Sequence, residues 1–104
     1  MQSEMIEFLQ KFSQMKPSER YENIEKLTDK EVDYLAEVCK NFLHKKIKVN
    51  QKQIKELKSS RLELKLLASK NRKNKIKKKI LKSIKGGFIL HLLLPLALKT
   101  LLSL

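Results

Sequence analysis

The chain changes abruptly from strongly basic to strongly apolar in its last third, and its only two glycines lie at the change. Nine of the sixteen residues from Lys70 to Lys85 are Lys or Arg, whereas twelve of the seventeen from Phe88 to Leu104 are Phe, Ile, Leu or Ala. The basic stretch resists folding alone because its charges repel, and the apolar stretch resists exposure to water. Any fold of this chain must therefore accommodate two neighbouring segments that favour different surroundings.

Gly86 and Gly87 separate the two stretches within the sequence Ile84-Lys85-Gly86-Gly87-Phe88. Adjacent glycines leave the backbone unusually free, so a helix tends to end at such a pair. An extended, glycine-rich strand is also a segment that a protease binds readily. We therefore expect a hinge at residues 86–87, and the same residues form a candidate cleavage site.

The charge of the chain is distributed as unevenly as its hydrophobicity. The net charge is +13; residues 1–43 hold six basic and nine acidic side chains, whereas residues 44–104 hold eighteen basic side chains and only two acidic ones, Glu56 and Glu63. Like charges at this density require a polyanion to offset them. The composition thus indicates binding to nucleic acid or to an anionic membrane surface.

The spacing of apolar residues predicts an all-α fold, because they recur at steps of three and four. We expect a helix over about residues 3–14, a second helix that starts at Pro17, and a third that the capping box Thr28 to Glu31 opens. These helices would form a small N-terminal head, residues 1–43, whose thin core favours self-association. The expected inward side chains are Met5, Phe8, Leu9, Phe12, Tyr21, Ile24, Leu27, Val32, Leu35, Ala36, Cys39, Phe42 and Leu43.

Residues 44–85 are predicted to form basic helices, followed by the junction 86–87 and an apolar C-terminal helix within the tail 88–104. Asn50 would cap a helix that runs to about Lys70, unless a second capping box at residues 60–63 breaks it near Ser60. After a polar joint at residues 71–74, a further helix would carry an apolar face. That face consists of Ile76, Ile80, Leu81 and Ile84.

The basic segment has the composition of a surface that binds phosphates without reading bases. Lysines act as point charges on flexible stems, and the absence of aromatic residues between Leu43 and Phe88 disfavours stacking on single strands. We therefore expect sequence-independent binding of duplex DNA; a solvated basic face or a nuclear-import signal is the alternative. The candidate contacts are Lys52, Lys55, Lys58, Arg61, Lys70, Arg72, Lys73, Lys75, Lys77, Lys78, Lys79, Lys82 and Lys85.

The tail from Phe88 onward has three interpretations. A helix of its length would span about 25 Å, which is short of the roughly 30 Å hydrocarbon core of a bilayer. His91, Pro95 and Lys99 add to the cost of crossing the membrane. Insertion at the membrane interface, or packing inside an assembly, therefore fits better than a transmembrane anchor.

Side chains that carry catalysis are poorly represented, so we expect no enzyme, no metal and no cofactor. His44 and His91 lie far apart in the sequence, in a basic turn and in the apolar tail. The acidic residues fall on polar helix faces, and no phosphate-cradling loop or nucleophile elbow is present. Cys39 has no partner for an intramolecular disulfide, and we expect it to be a buried structural thiol.

The residues from Ile84 to Phe88 resemble the specificity pattern of adenovirus-type cysteine proteases: an aliphatic residue, any residue, Gly-Gly, and cleavage before the next residue. The apolar run that follows, with Leu-Leu-Leu-Pro95-Leu, is similar to the C-terminal part of the adenovirus core protein mu precursor. There too a basic segment precedes the cut and an apolar segment follows it. The resemblance implies maturation by cleavage after Gly87, with Ile84, Gly86, Gly87 and Phe88 as the motif.

A wider group shows the same order of segments. A turn at Ile47-Lys48-Val49, the sequence Gln53 to Leu57 and the stretch Arg61 to Lys70 precede the Lys-rich run into Gly-Gly-Phe. This order resembles the mu-like small virion proteins of adintoviruses and Polinton (Maverick) elements over about residues 20–104. The present chain is Lys-rich where adenoviral mu is Arg-rich.

The leading hypothesis is a virion-associated structural protein of an adenovirus-like virus or mobile element that condenses duplex DNA. The resemblance implies a place in the virion, and in the host nucleus during assembly, with capsid or other virion proteins and a viral cysteine protease as partners. Contact of the tail with a membrane and homo-oligomer formation are further expectations. The alternatives are a membrane-associated protein that binds anionic lipid and inserts residues 88–104, and a helical adaptor that is indifferent to polyanions.

Overall fold

Seven α-helices make up almost all of the computed structural model, which describes residues 2–47 and 49–102 and contains no strand within them. The prediction of an all-α fold with an apolar C-terminal helix is therefore confirmed. Lys48 of the predicted turn and the tail residues Ser103 and Leu104 lie outside the described residues. The helices are α1 (Gln2–Gln14), α2 (Pro17–Ile24), α3 (Asp29–Leu43), α4 (Gln51–Lys58), α5 (Arg61–Ala68), α6 (Asn74–Leu81) and α7 (Ile84–Leu102).

Two of the three predicted helix caps are present. The Thr28 hydroxyl accepts a hydrogen bond from the Glu31 N–H at 3.1 Å, and the Glu31 carboxylate accepts one from the Thr28 N–H at 2.9 Å. Asn50 and Gln53 make the same reciprocal pair at the start of α4. The capping box predicted at Ser60 is wrong, because the Ser60 side chain makes no cap hydrogen bond.

The long helix expected from residue 50 to residue 70 is divided in two, as the alternative prediction had it. Helix α4 ends at Lys58 and α5 begins at Arg61, with the buried Ser60 between them. Leu57 before the break and Leu64 after it are both fully buried. Both short helices therefore contribute side chains to the core.

A single hydrophobic core runs through the head, the basic segment and the tail. Helix α3 packs mainly against α5, α1 packs against α7, and α6 lies against α7, α5, α3 and α2. Burial of apolar surface therefore couples the acidic helices to the basic ones. The core cluster includes Leu9, Phe12, Ile24, Val32, Leu35, Val38, Cys39, Leu57, Leu64, Leu67, Leu81, Ile89, Leu90, Leu93, Leu94 and Ala97.

The glycine pair is not a hinge, because α7 begins at Ile84 and continues through both glycines and through Pro95. A Cβ atom on Gly86 would lie 2.0 Å from the Ile80 carbonyl oxygen and 2.7 Å from the Leu81 Cα. The missing side chain therefore allows the start of α7 to approach the end of α6. The Ser83 hydroxyl accepts a hydrogen bond from the Gly86 N–H at 3.0 Å and satisfies one amide of the first turn.

Two predicted inward faces are partly wrong. On α6, Ile76 is 43% exposed, whereas Lys77 is only 4% exposed, because α6 contacts several helices and the aliphatic stem of a lysine packs against apolar surface. Ile84, expected on the same face, is 93% exposed at the start of α7. On α2, Tyr21 is exposed and Arg20 takes the inward position.

Candidate nucleic-acid interface

Ten of the thirteen predicted phosphate contacts are exposed on the part of the surface formed by α4, the start of α5, the segment before α6, α6 itself and the start of α7. The exposed residues are Lys52, Lys55, Lys58, Arg61, Lys70, Arg72, Lys73, Lys75, Lys79 and Lys85. The structure therefore keeps most of the basic segment accessible to a large anion.

The carboxylates of residues 44–104 do little to neutralise these cations. Glu56 and Glu63 are the acidic residues of the segment from residue 49 onward, and both are half-buried. One oxygen of Glu63, Oε1, is fully buried and has no hydrogen-bond partner within the described ranges. Both ion pairs among the described residues use a carboxylate of the N-terminal half. The exposed charge on α4 to α6 is consequently almost entirely positive.

Lys78 and Lys82 have a different role from the exposed lysines, because both contact Glu25 just after α2. The Lys82 Nζ lies 2.9 Å from the Glu25 carboxylate, and the Lys78 Nζ donates to the Glu25 carbonyl oxygen at 3.0 Å. The hydrogen bond between Lys82 and Glu25 raises the pKa of Lys82 and lowers that of Glu25. Lys82 also lies 5.1 Å from the centre of the Tyr21 ring. These two lysines thus connect α6 and the residue after it to the end of α2.

Lys77 is the one predicted contact that is buried. It lies close enough to the buried Cys39 for its charge to favour the thiolate slightly, although burial dominates and raises the pKa of Cys39 to about 12. Lys77 also lines a cleft that includes Asp33 and Glu37 of α3. The arrangement suits a structural lysine, and the expected burial of Cys39 is confirmed.

The residues of the predicted cleavage motif all belong to α7. Ile84, Gly87 and Phe88 are exposed, whereas Gly86 is buried under the α6–α7 turn. The Gly87 N–H donates a hydrogen bond to the Ser83 carbonyl oxygen at 2.9 Å, so the backbone here is helical and not extended. A protease that binds an extended strand would need the first turns of α7 to unwind.

Helix α7 is long and apolar enough, by length and composition, to cross a membrane. Its 19 residues span about 28 Å, which is longer than the tail alone because the helix begins before the glycines. A third of its most apolar window is buried inside the molecule. The core helix of a globular protein can have the same length and composition. These two properties alone therefore do not decide whether α7 is a core helix or a membrane-spanning one.

Arg20 is a buried cation that was not among the candidate residues predicted from the sequence. It is 7% exposed, and its Nε has no hydrogen-bond partner in the part of the chain that the structure describes. Its spacing from Ile24 and Leu27, four and seven residues ahead, places it on the inward face of α2, which is the signal that could have identified it. The two histidines are both exposed, and no cluster of three or more metal-ligating residues occurs in the described ranges.

Comparison of the chain with protein-family models, with curated proteins and with solved structures gives no match. The resemblance to mu-like virion proteins therefore stays a prediction.

Proposed function

We propose that this protein is a non-enzymatic, virion-associated structural protein that binds duplex DNA without sequence preference through contacts between lysines and phosphates. The observation that supports the proposal most is the set of ten exposed cations on a half of the molecule whose two carboxylates are both half-buried. Phosphate contacts of this kind release counterions from DNA and require no reading of base edges.

The composition of the surface favours duplex DNA over single strands. Eight of the ten exposed cations are lysines, which neutralise phosphates without the bidentate geometry that arginine uses on guanine. The first aromatic residue after Phe42 is Phe88, so the helices that carry the cations offer no stacking platform. Binding should therefore depend on charge density, which is highest on a duplex.

The test is the salt dependence of binding, measured by fluorescence anisotropy on a labelled duplex. If about eight cations contact phosphate, the logarithm of the binding constant should fall against the logarithm of salt concentration with a slope of about −7. Replacing Lys75 and Lys79 of α6 by Gln should reduce the size of that slope by about 2. An affinity that does not change between low and moderate salt would contradict the proposal.

The matched control changes the same net charge on the other half of the molecule. Lys11 and Lys26 are exposed on α1 and just after α2. Replacing both by Gln should leave the slope unchanged, because these lysines lie among acidic residues outside the proposed interface. Equal effects of the two double variants would show that total charge, and not this surface, governs binding.

Maturation by a viral cysteine protease is the second part of the proposal, and it rests on the resemblance of Ile84 to Phe88 to the protease pattern. Incubation with an adenain-type protease should yield a product that ends at Gly87, detected by mass spectrometry. Gly87→Ala should block the cut without disturbing α7, since a Cβ at this position meets no atom within 4 Å. Survival of the bond between Gly87 and Phe88 in the unmodified chain would remove the maturation step.

A membrane-associated function is the second candidate, and a specific observation favours it: three large apolar side chains of α7, Ile84, Phe88 and Leu102, are exposed. Ile84 and Leu102, near its two ends, are 93% and 60% exposed. Flotation with anionic vesicles separates the candidates. Ile84→Ser together with Leu102→Ser should abolish flotation if α7 inserts, whereas DNA binding should be retained if the first proposal holds.

A further inference from the structure

An apolar pocket of about 260 Å³ lies where α2, the end of α6 and the first turns of α7 meet. Its walls include Ile24 and Leu81 from the core, together with Phe88 and Leu90 of α7. The volume exceeds a 150 Å³ cavity of the kind that holds benzene, and it is below the roughly 300–1,000 Å³ of sites for drug-sized ligands. The pocket therefore suits a small, mostly apolar molecule.

Arg20 lines this pocket and brings a positive charge to its apolar wall. The side chain is more than nine-tenths buried, its Nε has no hydrogen-bond partner, and no described acidic residue forms an ion pair with it. A buried charge is costly unless an opposite charge or hydrogen bonds compensate it. Burial accordingly lowers the pKa of Arg20 from its ordinary value.

Two acidic side chains close to Arg20 in the sequence have other partners. The Glu19 carboxylate accepts a hydrogen bond from the Lys16 N–H at 3.3 Å, and the Glu25 carboxylate binds Lys82. Lys82 and His91, which also line the pocket, add further donors at its edge. The site thus combines an apolar cavity with donors to an anion, and no anionic side chain lines it among the described residues.

We propose that this pocket binds a small amphiphile with a single negative charge, of the class of medium-chain fatty carboxylates. The carboxylate would accept hydrogen bonds from the Arg20 guanidinium, whose planar donor geometry matches a carboxylate. The alkyl chain would pack against Phe88 and Leu90 in place of water. The site differs from the exposed cations of the DNA interface, so this proposal stands or falls independently of DNA binding.

The first experiment titrates the full-length protein with octanoate and follows the amide signals of its two glycines by NMR. Gly87 lines the pocket, whereas Gly86 is buried against the end of α6 outside it. Octanoate should shift the Gly87 signal saturably and more strongly than the Gly86 signal. Octanol, which has the same chain without the charge, should bind about ten- to a hundred-fold more weakly, because it lacks the charge-assisted hydrogen bond.

The second experiment replaces the buried cation. Arg20→Met should weaken octanoate binding by about ten- to a hundred-fold and make the protein respond to octanoate and octanol alike. Lys26→Met removes one exposed positive charge outside the pocket and should leave octanoate binding unchanged. Circular dichroism checks the fold of both variants, and the comparison of octanoate with octanol on the unmodified chain needs neither of them.

Three results would overturn the proposal. Equal affinity of octanoate and octanol for the unmodified protein would remove the role of Arg20 as an anion contact. Binding to phosphatidylglycerol vesicles without any effect of free octanoate on Gly87 would assign the apolar surface to a bilayer instead of a single amphiphile. Shifts of lysine signals over the whole surface, with no saturation at Gly87, would indicate adventitious ion pairing only.

Discussion

Gly86 and Gly87 are adjacent in the first turns of α7 but have different surroundings. A methyl group on Gly86 would overlap the backbone of Ile80 and Leu81, at 2.0 Å and 2.7 Å, whereas one on Gly87 meets open space. Backbone atoms move less readily than the end of a flexible side chain. The close approach of α6 to α7 therefore depends on the first glycine alone.

We expect Gly86→Ala and Gly87→Ala to change stability in opposite directions. The first should lower the free energy of unfolding by about 1–3 kcal/mol, as overpacking of a tight contact does. The second should raise it by about 0.4–1 kcal/mol, because alanine favours the helix and restricts the unfolded chain. Urea denaturation followed by circular dichroism measures both. Equal effects would mean that the contact at Gly86 is not formed.

Cys39 provides a second test at the level of one residue. Its side chain is buried, and burial raises its pKa from 9.0 to about 12 because the charged thiolate is desolvated. The folded protein should therefore react slowly with a thiol reagent at pH 8, and the urea-unfolded chain should react rapidly. Rapid reaction of the folded protein would show that α3 is not packed as described.

The same shift has a consequence at alkaline pH. The thiol of the unfolded chain loses its proton near pH 9, whereas the folded one keeps it until about pH 12. In this window the folded state binds more protons than the unfolded state, so the contribution of Cys39 to stability falls as the pH rises. Cys39→Ala should remove that part of the alkaline loss of stability in denaturation curves recorded from pH 8 to pH 11.

At the scale of the helices, α7 combines a core face with an outer surface that is only partly apolar. Leu94 is fully buried, whereas Leu102 is 60% exposed. The two faces make α7 both part of the fold and a candidate for membrane contact. The exposed side also carries His91, Pro95 and Lys99, so the side that is buried in the molecule is the more apolar of the two.

Truncating these two leucines should separate the roles of the two faces. Leu94→Ala leaves a cavity in the core and should cost about 2–5 kcal/mol of unfolding free energy. Leu102→Ala should change it by no more than about 0.5 kcal/mol, as exposed substitutions usually do. Thermal denaturation in water measures the difference. Similar small effects of both would indicate that α7 does not pack on the core in solution.

The sequence predicted the helices well, but it did not predict the contacts between them. The periodic apolar residues and the caps at Thr28 and Asn50 are local signals, and the structure contains both. The direction of α6 depends on Gly86 and on several neighbouring helices, so the burial of Lys77 and the exposure of Ile76 could not be read from the helix alone. The glycine pair was expected to make the backbone flexible, whereas Gly86 instead leaves space for the end of α6.

The candidate interface was predictable in composition but not in detail. Ten of the thirteen predicted cations are exposed, as is usual for charged side chains. Lys78 and Lys82 contact Glu25, which lies more than fifty residues earlier, and no local pattern reveals such a partner. Arg20 was missed because a basic residue on an inward face is normally taken as exposed.

At the scale of the whole molecule, the tail is a structural part of the fold. The radius of gyration is 12.5 Å, close to the value of about 13 Å expected for a single compact domain of this length. Five buried residues of the core cluster, Ile89, Leu90, Leu93, Leu94 and Ala97, lie after the predicted cleavage point. A small domain has little stability to spare, so the loss of these residues has a large effect.

A chain that ends at Gly87 should therefore lose cooperative folding, even though it retains six of the seven helical segments. Circular dichroism should show reduced helix content and a gradual thermal change in place of a sigmoidal one, and a synthetic peptide of residues 88–104 added in trans should restore part of the transition. The full chain with Leu102→Ala serves as the control for a minor change in α7.

Cleavage after Gly87 would then do more than remove an apolar segment. It would free Lys78 and Lys82 from Glu25 and make them available to phosphate, so the truncated chain should bind DNA with a steeper salt dependence than the full chain. A sigmoidal melt of the truncated chain at the temperature of the full-length protein would contradict this coupling between the tail and the fold.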